Sequence, residues 1–186
     1  MKHLKKFNEA VIGSPLLKLS NNIDYDLMNI IESKINPGDK ILEISCGNGA
    51  DSIYLKNKGY DVVCTEINPE YCHNSISKGL NCLQHDTRDP FPFKDKQFDL
   101  VYSRLGLHYF EKDDLVKIFK ELSRITNYLL ITVKLTDNVS TGKIIFNSNT
   151  WKDLVSNNFD IEDINIKNGN LYGIQSQWLE ILSKSN

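Results

Sequence analysis

Gly47 and Gly49 sit between two acids, Glu43 and Asp51, in the run EISCGNGAD, and a third acid, Glu66, closes the next apolar run. Glycines at such a turn let backbone N–H groups approach a ligand closely, and a helix starting there points its N-terminus at it. Glu66 lies about 20 residues on, the distance at which a carboxylate meets the ribose hydroxyls of a nucleotide. Its two oxygens can accept both hydroxyl hydrogens. The chemistry on offer is nucleoside binding. A pyrophosphate wants positive potential at the helix N-terminus, and Glu43 and Asp51 oppose it there. The same acids attract a ligand carrying an ammonium and a sulfonium.

These residues need strands to deliver them. Ile41, Leu42 and Ile44 have the length and branching of a buried strand that leads into the turn. A helix over Asp51–Lys58 stops at Gly59, and a second strand runs Tyr60–Thr65 into Glu66. Pro69 opens a helix over Glu70–Lys78. Leu80–His85 is a third strand and ends at Asp86-Thr87, placed to accept from an adenine amino group. Phe98–Tyr102 is a fourth strand, ending at Ser103. Leu115, Ile118, Phe119, Leu122 and Ile125 form one stripe of a helix over 111–126. Tyr128–Lys134 reads as a fifth strand. An earlier helix over Asp24–Ile35 carries Leu27, Ile30, Ile31 and Ile35 on one face. Residues 135–150 read as loop, 150–157 as a short helix, and 159–167 and 175–183 as closing strands. Strands alternating with helices give an α/β, doubly wound sheet whose ligand sits beyond the carboxyl ends of the strands.

The turn resembles the first motif of the class I S-adenosylmethionine-dependent methyltransferases, acid-x-Gly-x-Gly-x-Gly. Glu43, Gly47 and Gly49 match it, and Ser45 stands where the family has its first glycine. The stretch QHDTRDPFPFKDKQFDLVYSRLGLHYF is similar to the corresponding family block. Leu171-Tyr172-Gly173 and Ser176-Gln177-Trp178 look like the closing strands of small bacterial members, nearest to the tellurite-resistance type. The resemblance implies a Rossmann-like seven-stranded sheet, mostly parallel with one antiparallel strand near the C-terminus. It implies S-adenosylmethionine as cofactor, held by Glu43, Ser45, Gly47, Gly49 and Asp51 at the turn, Glu66 and Ile67 at the ribose, and Asp86 and Thr87 at the adenine. The Ser103 carbonyl is expected at the methionine ammonium. His108, with a near-neutral intrinsic pKa, is the candidate general base, or else it packs the start of the following helix. Arg104 and Tyr109 are candidate acceptor contacts, Arg104 for an anionic acceptor or else for a salt bridge with Glu111 or Asp113.

The whole-chain numbers fit that reading. A chain of 186 residues, 40% apolar and 25% charged, suits one globular domain. Its expected parts are a helical cover over 1–36, with residues 1–20 as a possible lid, a cofactor-binding core over 37–134, and closing helix and strands over 135–186. A net charge of −2 argues against a nucleic-acid footprint, and no apolar run has the length of a membrane helix. Cys46, Cys64, Cys72 and Cys82 form no Cys-x-x-Cys pair, which favours reduced thiols and a cytoplasmic setting without a signal peptide. Cys72, His73, Cys82 and His85 lack a recognised zinc spacing, so no metal is expected. The leading reading is methyl transfer to a small-molecule acceptor by in-line displacement. The alternatives are a protein or peptide acceptor, a non-catalytic binding subunit with the same fold, and a nicotinamide oxidoreductase. Oligomeric state is not legible.

Overall fold

A computed structural model describes residues 23–135, 146–171 and 174–186, and no side chains at 170, 171, 174 and 175. The possible lid over 1–20, most of the expected 135–150 loop and Tyr172-Gly173 lie outside the described residues. In chain order the elements are α1 (Tyr25–Lys34), β1 (Lys40–Ile44), α2 (Ala50–Asn57), β2 (Asp61–Glu66), α3 (Pro69–Ser77) and β3 (Asn81–Gln84). They continue with β4 (Phe98–Arg104), a 3-10 turn (Leu107–Tyr109), α4 (Lys112–Ile125), β5 (Thr126–Leu135), α5 (Ser148–Ser156), β6 (Phe159–Leu171) and β7 (Ile174–Ser185).

One seven-stranded sheet has the order β3-β2-β1-β4-β5-β7-β6. Strands β1 to β5 run parallel, and β7 pairs antiparallel with both β5 and β6. β7 is therefore the single reversed strand, as the sequence implied. β6 and β7 are longer than expected, because the pairing runs on as far as Leu171↔Ile174. The order reverses between β1 and β4, so the glycine turn after β1 and Ser103 at the end of β4 share the switch point where ligands bind in such sheets.

Alternation along each strand divides the core. Leu42, Ile44 and Val101 face α4 and α5, joining Leu115, Phe119, Leu122, Trp151 and Leu154. Ile41, Leu100 and Tyr102 face the other way, against Leu27 and Ile31 of α1 and Leu55 of α2. Central strands buried on both faces explain the near-continuous apolar runs in the sequence. Helix starts are set locally. Asp24 accepts from the Leu27 N–H, and the Asn68 side chain accepts from the N–H groups of Glu70 and Tyr71 with Pro69 in the first turn.

Candidate active site

The site begins with backbone conformation. Gly47 and Gly49 have φ of 57° and 71°, values that glycine adopts without a Cβ penalty. A Cβ on Gly49 would lie 2.5 Å from Leu80 Cδ1 and 2.9 Å from Ser75 Oγ, so the turn is pressed against α3 and its neighbours. Ser45 also lies in the left-handed region, at φ 58°. Its side chain is accommodated because residue 106 is glycine: a Cβ there would stand 2.7 Å from Ser45 Cβ and 3.0 Å from Ser103 Oγ. The crowding that serine adds to the motif is offset across the switch point.

Glu66 lies over this turn. Its Oε2 accepts from the Gly47 N–H at 2.8 Å and its Oε1 from the Asn68 N–H at 2.9 Å. Each carboxylate oxygen has two lone pairs, so both keep capacity for a hydroxyl. Burial raises the Glu66 pKa, and the backbone donors act against that rise. Ile67, half-buried beside it, offers its carbonyl to Gln84 Nε2 at 3.4 Å.

The acids at the turn differ in state. Glu43 is buried and accepts from Ser52 Oγ at 2.5 Å. Burial, with the charge of Asp51 adding to it, pushes the Glu43 carboxyl up to about 8. Asp51 is 1% exposed. It accepts from Tyr102 Oη at 2.9 Å and pairs with Arg104 Nε at 2.7 Å and Nη2 at 3.0 Å. Burial raises the Asp51 pKa while the Arg104 charge opposes it.

This corrects two expectations. Asp51 does not stand open to a cationic ligand, because the chain supplies its counter-ion. Arg104 pairs with Asp51 rather than with Glu111 or Asp113, and its charge is committed before any anionic acceptor arrives. The reason is strand parity: Tyr102 and Arg104 are two apart in β4, so both face α2.

Asp86 is also tied. The Arg88 guanidinium grips it on both oxygens, with Nε at 2.9 Å from Oδ1, and the Arg88 N–H adds a bond at 3.0 Å. Burial acts against the Asp86 carboxylate, but the Arg88 bonds and charge win and hold its pKa below the ordinary value. Thr87 beside it is buried. Arg88 escaped the sequence reading, although an Asp-x-Arg pair in a tight turn is a local signal for such a clasp.

Ser103 is fully buried at the end of β4. His108 and Tyr109 occupy the 3-10 turn, with rings 4.3 Å apart, and His108 is 8% exposed.

A cavity of about 250 Å³ opens beside Arg104, lined also by Asp24, Leu105, Thr132, Lys167, Trp178 and Glu180. Neither His108 nor Tyr109 lines it. Of these lining residues, Thr132 Oγ1, Trp178 Nε1 and Glu180 Oε2 are buried atoms without a hydrogen-bond partner among the described residues. Such atoms are costly unless a ligand or water meets them. The other Glu180 oxygen, Oε1, pairs with Lys167 Nζ at 2.9 Å, and Lys167 reaches Asp26 at 3.2 Å. The Trp178 ring lies over Gly169, where a Cβ would be 2.3 Å from Cζ3. Apart from Arg104, none of these cavity residues was singled out from the sequence as a site. A buried acid in a closing strand, Glu180, was the available signal.

Residues 42–127 match the family described as "Methyltransferase domain". An uncharacterized methyltransferase of Synechocystis sp. is 28% identical over 92 residues, covering 49% of this chain and 43% of that protein. The chain thus spans less than half the length of that relative. Among solved structures, TehB from Haemophilus influenzae superposes with a TM-score of 0.75 at 19% identity, covering 88% of this chain and 63% of that one. A SAM-dependent methyltransferase from Methanosarcina mazei gives 0.71 at 20% identity, covering 84% and 96%. At these identities the structural likeness is one of fold. Over residues 42–127 this chain is thus similar in sequence to the methyltransferase domain family, and its sheet order gives it the fold of the class I S-adenosylmethionine-dependent methyltransferases.

Proposed function

We propose that the chain transfers a methyl group from S-adenosylmethionine to a small-molecule acceptor bound in the cavity beside Arg104. The donor site fits that cofactor. The glycine turn leaves room for close backbone approach, Glu66 keeps acceptor capacity for ribose hydroxyls, and Glu43 is a buried acid without an ion-pair partner among the described residues. A ligand ammonium suits Glu43 and a phosphate does not. Bound there, S-adenosylmethionine supplies a methyl group already activated on a sulfonium.

The chain's own task is then to hold a nucleophile in line and keep water away. The observation that carries the acceptor reading is the trio of unpartnered polar atoms on residues that line the cavity. Glu180 Oε2 can accept from an amine or hydroxyl, Trp178 Nε1 can donate to an oxygen or nitrogen, and Thr132 Oγ1 can do either. Burial raises the Glu180 pKa, against the pull of Lys167, which suits a group that takes a proton from the acceptor. A volume of about 250 Å³ lies below the roughly 300–1,000 Å³ of drug-sized ligand sites, so the acceptor is small. His108 is assigned a packing role beside Tyr109 rather than that of base.

Labelled donor presented with panels of small amines, phenols, thiols and peptides, read by mass spectrometry, tests the reading. Methylated small amines or phenols are expected, and Glu180→Gln should raise their KM while leaving S-adenosylhomocysteine affinity unchanged in calorimetry. Methylation of peptides alone would overturn the acceptor assignment. Failure to bind S-adenosylhomocysteine would overturn the activity.

A further inference from the structure

Three of the four cysteines converge although none forms a Cys-x-x-Cys pair. Cys64 of β2 and Cys82 of β3 are direct cross-strand neighbours, and Cys46 of the glycine turn joins them. The three Sγ atoms all lie within 4.8 Å of one another. Tetrahedral thiolates at Zn–S bonds of about 2.3 Å stand about 3.8 Å apart, so a contraction of about 1 Å or less would close a ligand set. Cys46 and Cys64 are buried, with Leu80 and Ile53 packed around them, while Cys82 is half-buried and gives a way in. This set shares only Cys82 with the group Cys72, His73, Cys82 and His85 that sequence spacing set aside. Cys72 of α3, also buried, lies outside this group.

We propose that Cys46, Cys64 and Cys82 form a binding site for a thiophilic d10 cation, of the Zn2+ or Cu+ class, that ties the glycine turn to β2 and β3. Three converging sulfurs select such ions over hard ones, which prefer oxygen. As metal–sulfur bonds form, protons leave the sulfurs. Because Cys46 lies between Ser45 and Gly47, occupancy fixes the backbone that faces the donor. The site is independent of the acceptor assignment above.

The test titrates the full chain, chelator-treated and kept reduced, with Cd2+ as a spectroscopic probe and then with Zn2+ and Cu+ in separate arms. One equivalent should produce a thiolate-to-metal charge-transfer band, release protons and raise Tm. Cys82→Ser and Cys64→Ser should each weaken binding at least tenfold, and Cys72→Ser should leave the stoichiometry intact. Far-ultraviolet circular dichroism checks that each variant folds, and the half-buried Cys82 is the position where serine is best tolerated. No charge-transfer band in the wild-type chain would overturn the site. So would a band that survives Cys82→Ser in a folded protein.

Discussion

The two ends of the sheet's ligand-facing rim handle polar groups in opposite ways. On the β1–β2 side, Glu66 is braced by Gly47 and Asn68, Asp51 by Tyr102 and Arg104, and Glu43 by Ser52. On the β5–β7 side, Thr132, Trp178 and Glu180 bury polar atoms that nothing described satisfies. The first arrangement is preorganised for a fixed ligand, because the protein holds its own acceptors in place before the ligand arrives. The second leaves its hydrogen bonds open, and under the proposed function selectivity would reside there. Arg104 belongs to both: it neutralises Asp51 and also walls the cavity.

Breaking that shared member should have the largest effect. Arg104→Met leaves Asp51 as a buried charge without its ion-pair partner and should cost about 3–5 kcal/mol of folding stability, read as a fall in the denaturant midpoint. Unchanged stability with only a raised acceptor KM would move Arg104 wholly to the acceptor side. Glu66→Ala comes next. Losing hydrogen bonds to a charged group, about 1.5–3 kcal/mol, should weaken S-adenosylhomocysteine binding ten- to a hundredfold in calorimetry, while acceptor KM stays put. An equal loss on both sides would erase the division.

Gly106→Ala probes the contact across the switch point. Its new methyl meets Ser45 and should destabilise by about 1–3 kcal/mol, and Ser45→Gly should restore most of that loss in the double variant. Additive losses would show that the two positions do not share space.

The smallest effect concerns protons. With the Glu43 carboxyl pushed up to about 8, above its unfolded value near 4.3, the empty site favours its protonated form. Stability from Glu43 is then fully present below about pH 4 and is lost as pH rises towards 8. A cationic ligand needs the carboxylate, so donor affinity should climb between pH 6 and 7.5, by up to tenfold per unit. Glu43→Gln should flatten that slope; an unchanged slope would mean that the proton belongs to another group.

Some of this could be read directly from the chain. The glycine turn, Glu66 and five strands with their intervening helices are local: period, proline, glycine and spacing specify them within a few dozen residues. That locality explains why element limits such as α4 at Lys112–Ile125 fell within a residue or two of expectation. The partners of those residues were not legible. Strand parity brings Arg104 of β4 onto Asp51 of α2, and parallel pairing of β2 with β3 brings Cys82 to Cys64, with no local pattern to announce either.

By itself, then, the sequence determined the order of strands and helices, the left-handed glycine turn and the acid that follows it, since backbone preference and apolar period act over short range. Only the tertiary structure decided which acids find a counter-ion, which thiols meet, and where a cavity opens between Asp24 and Glu180. Those outcomes depend on burial and on contacts between residues far apart in the chain, which pairwise packing of the sheet alone creates.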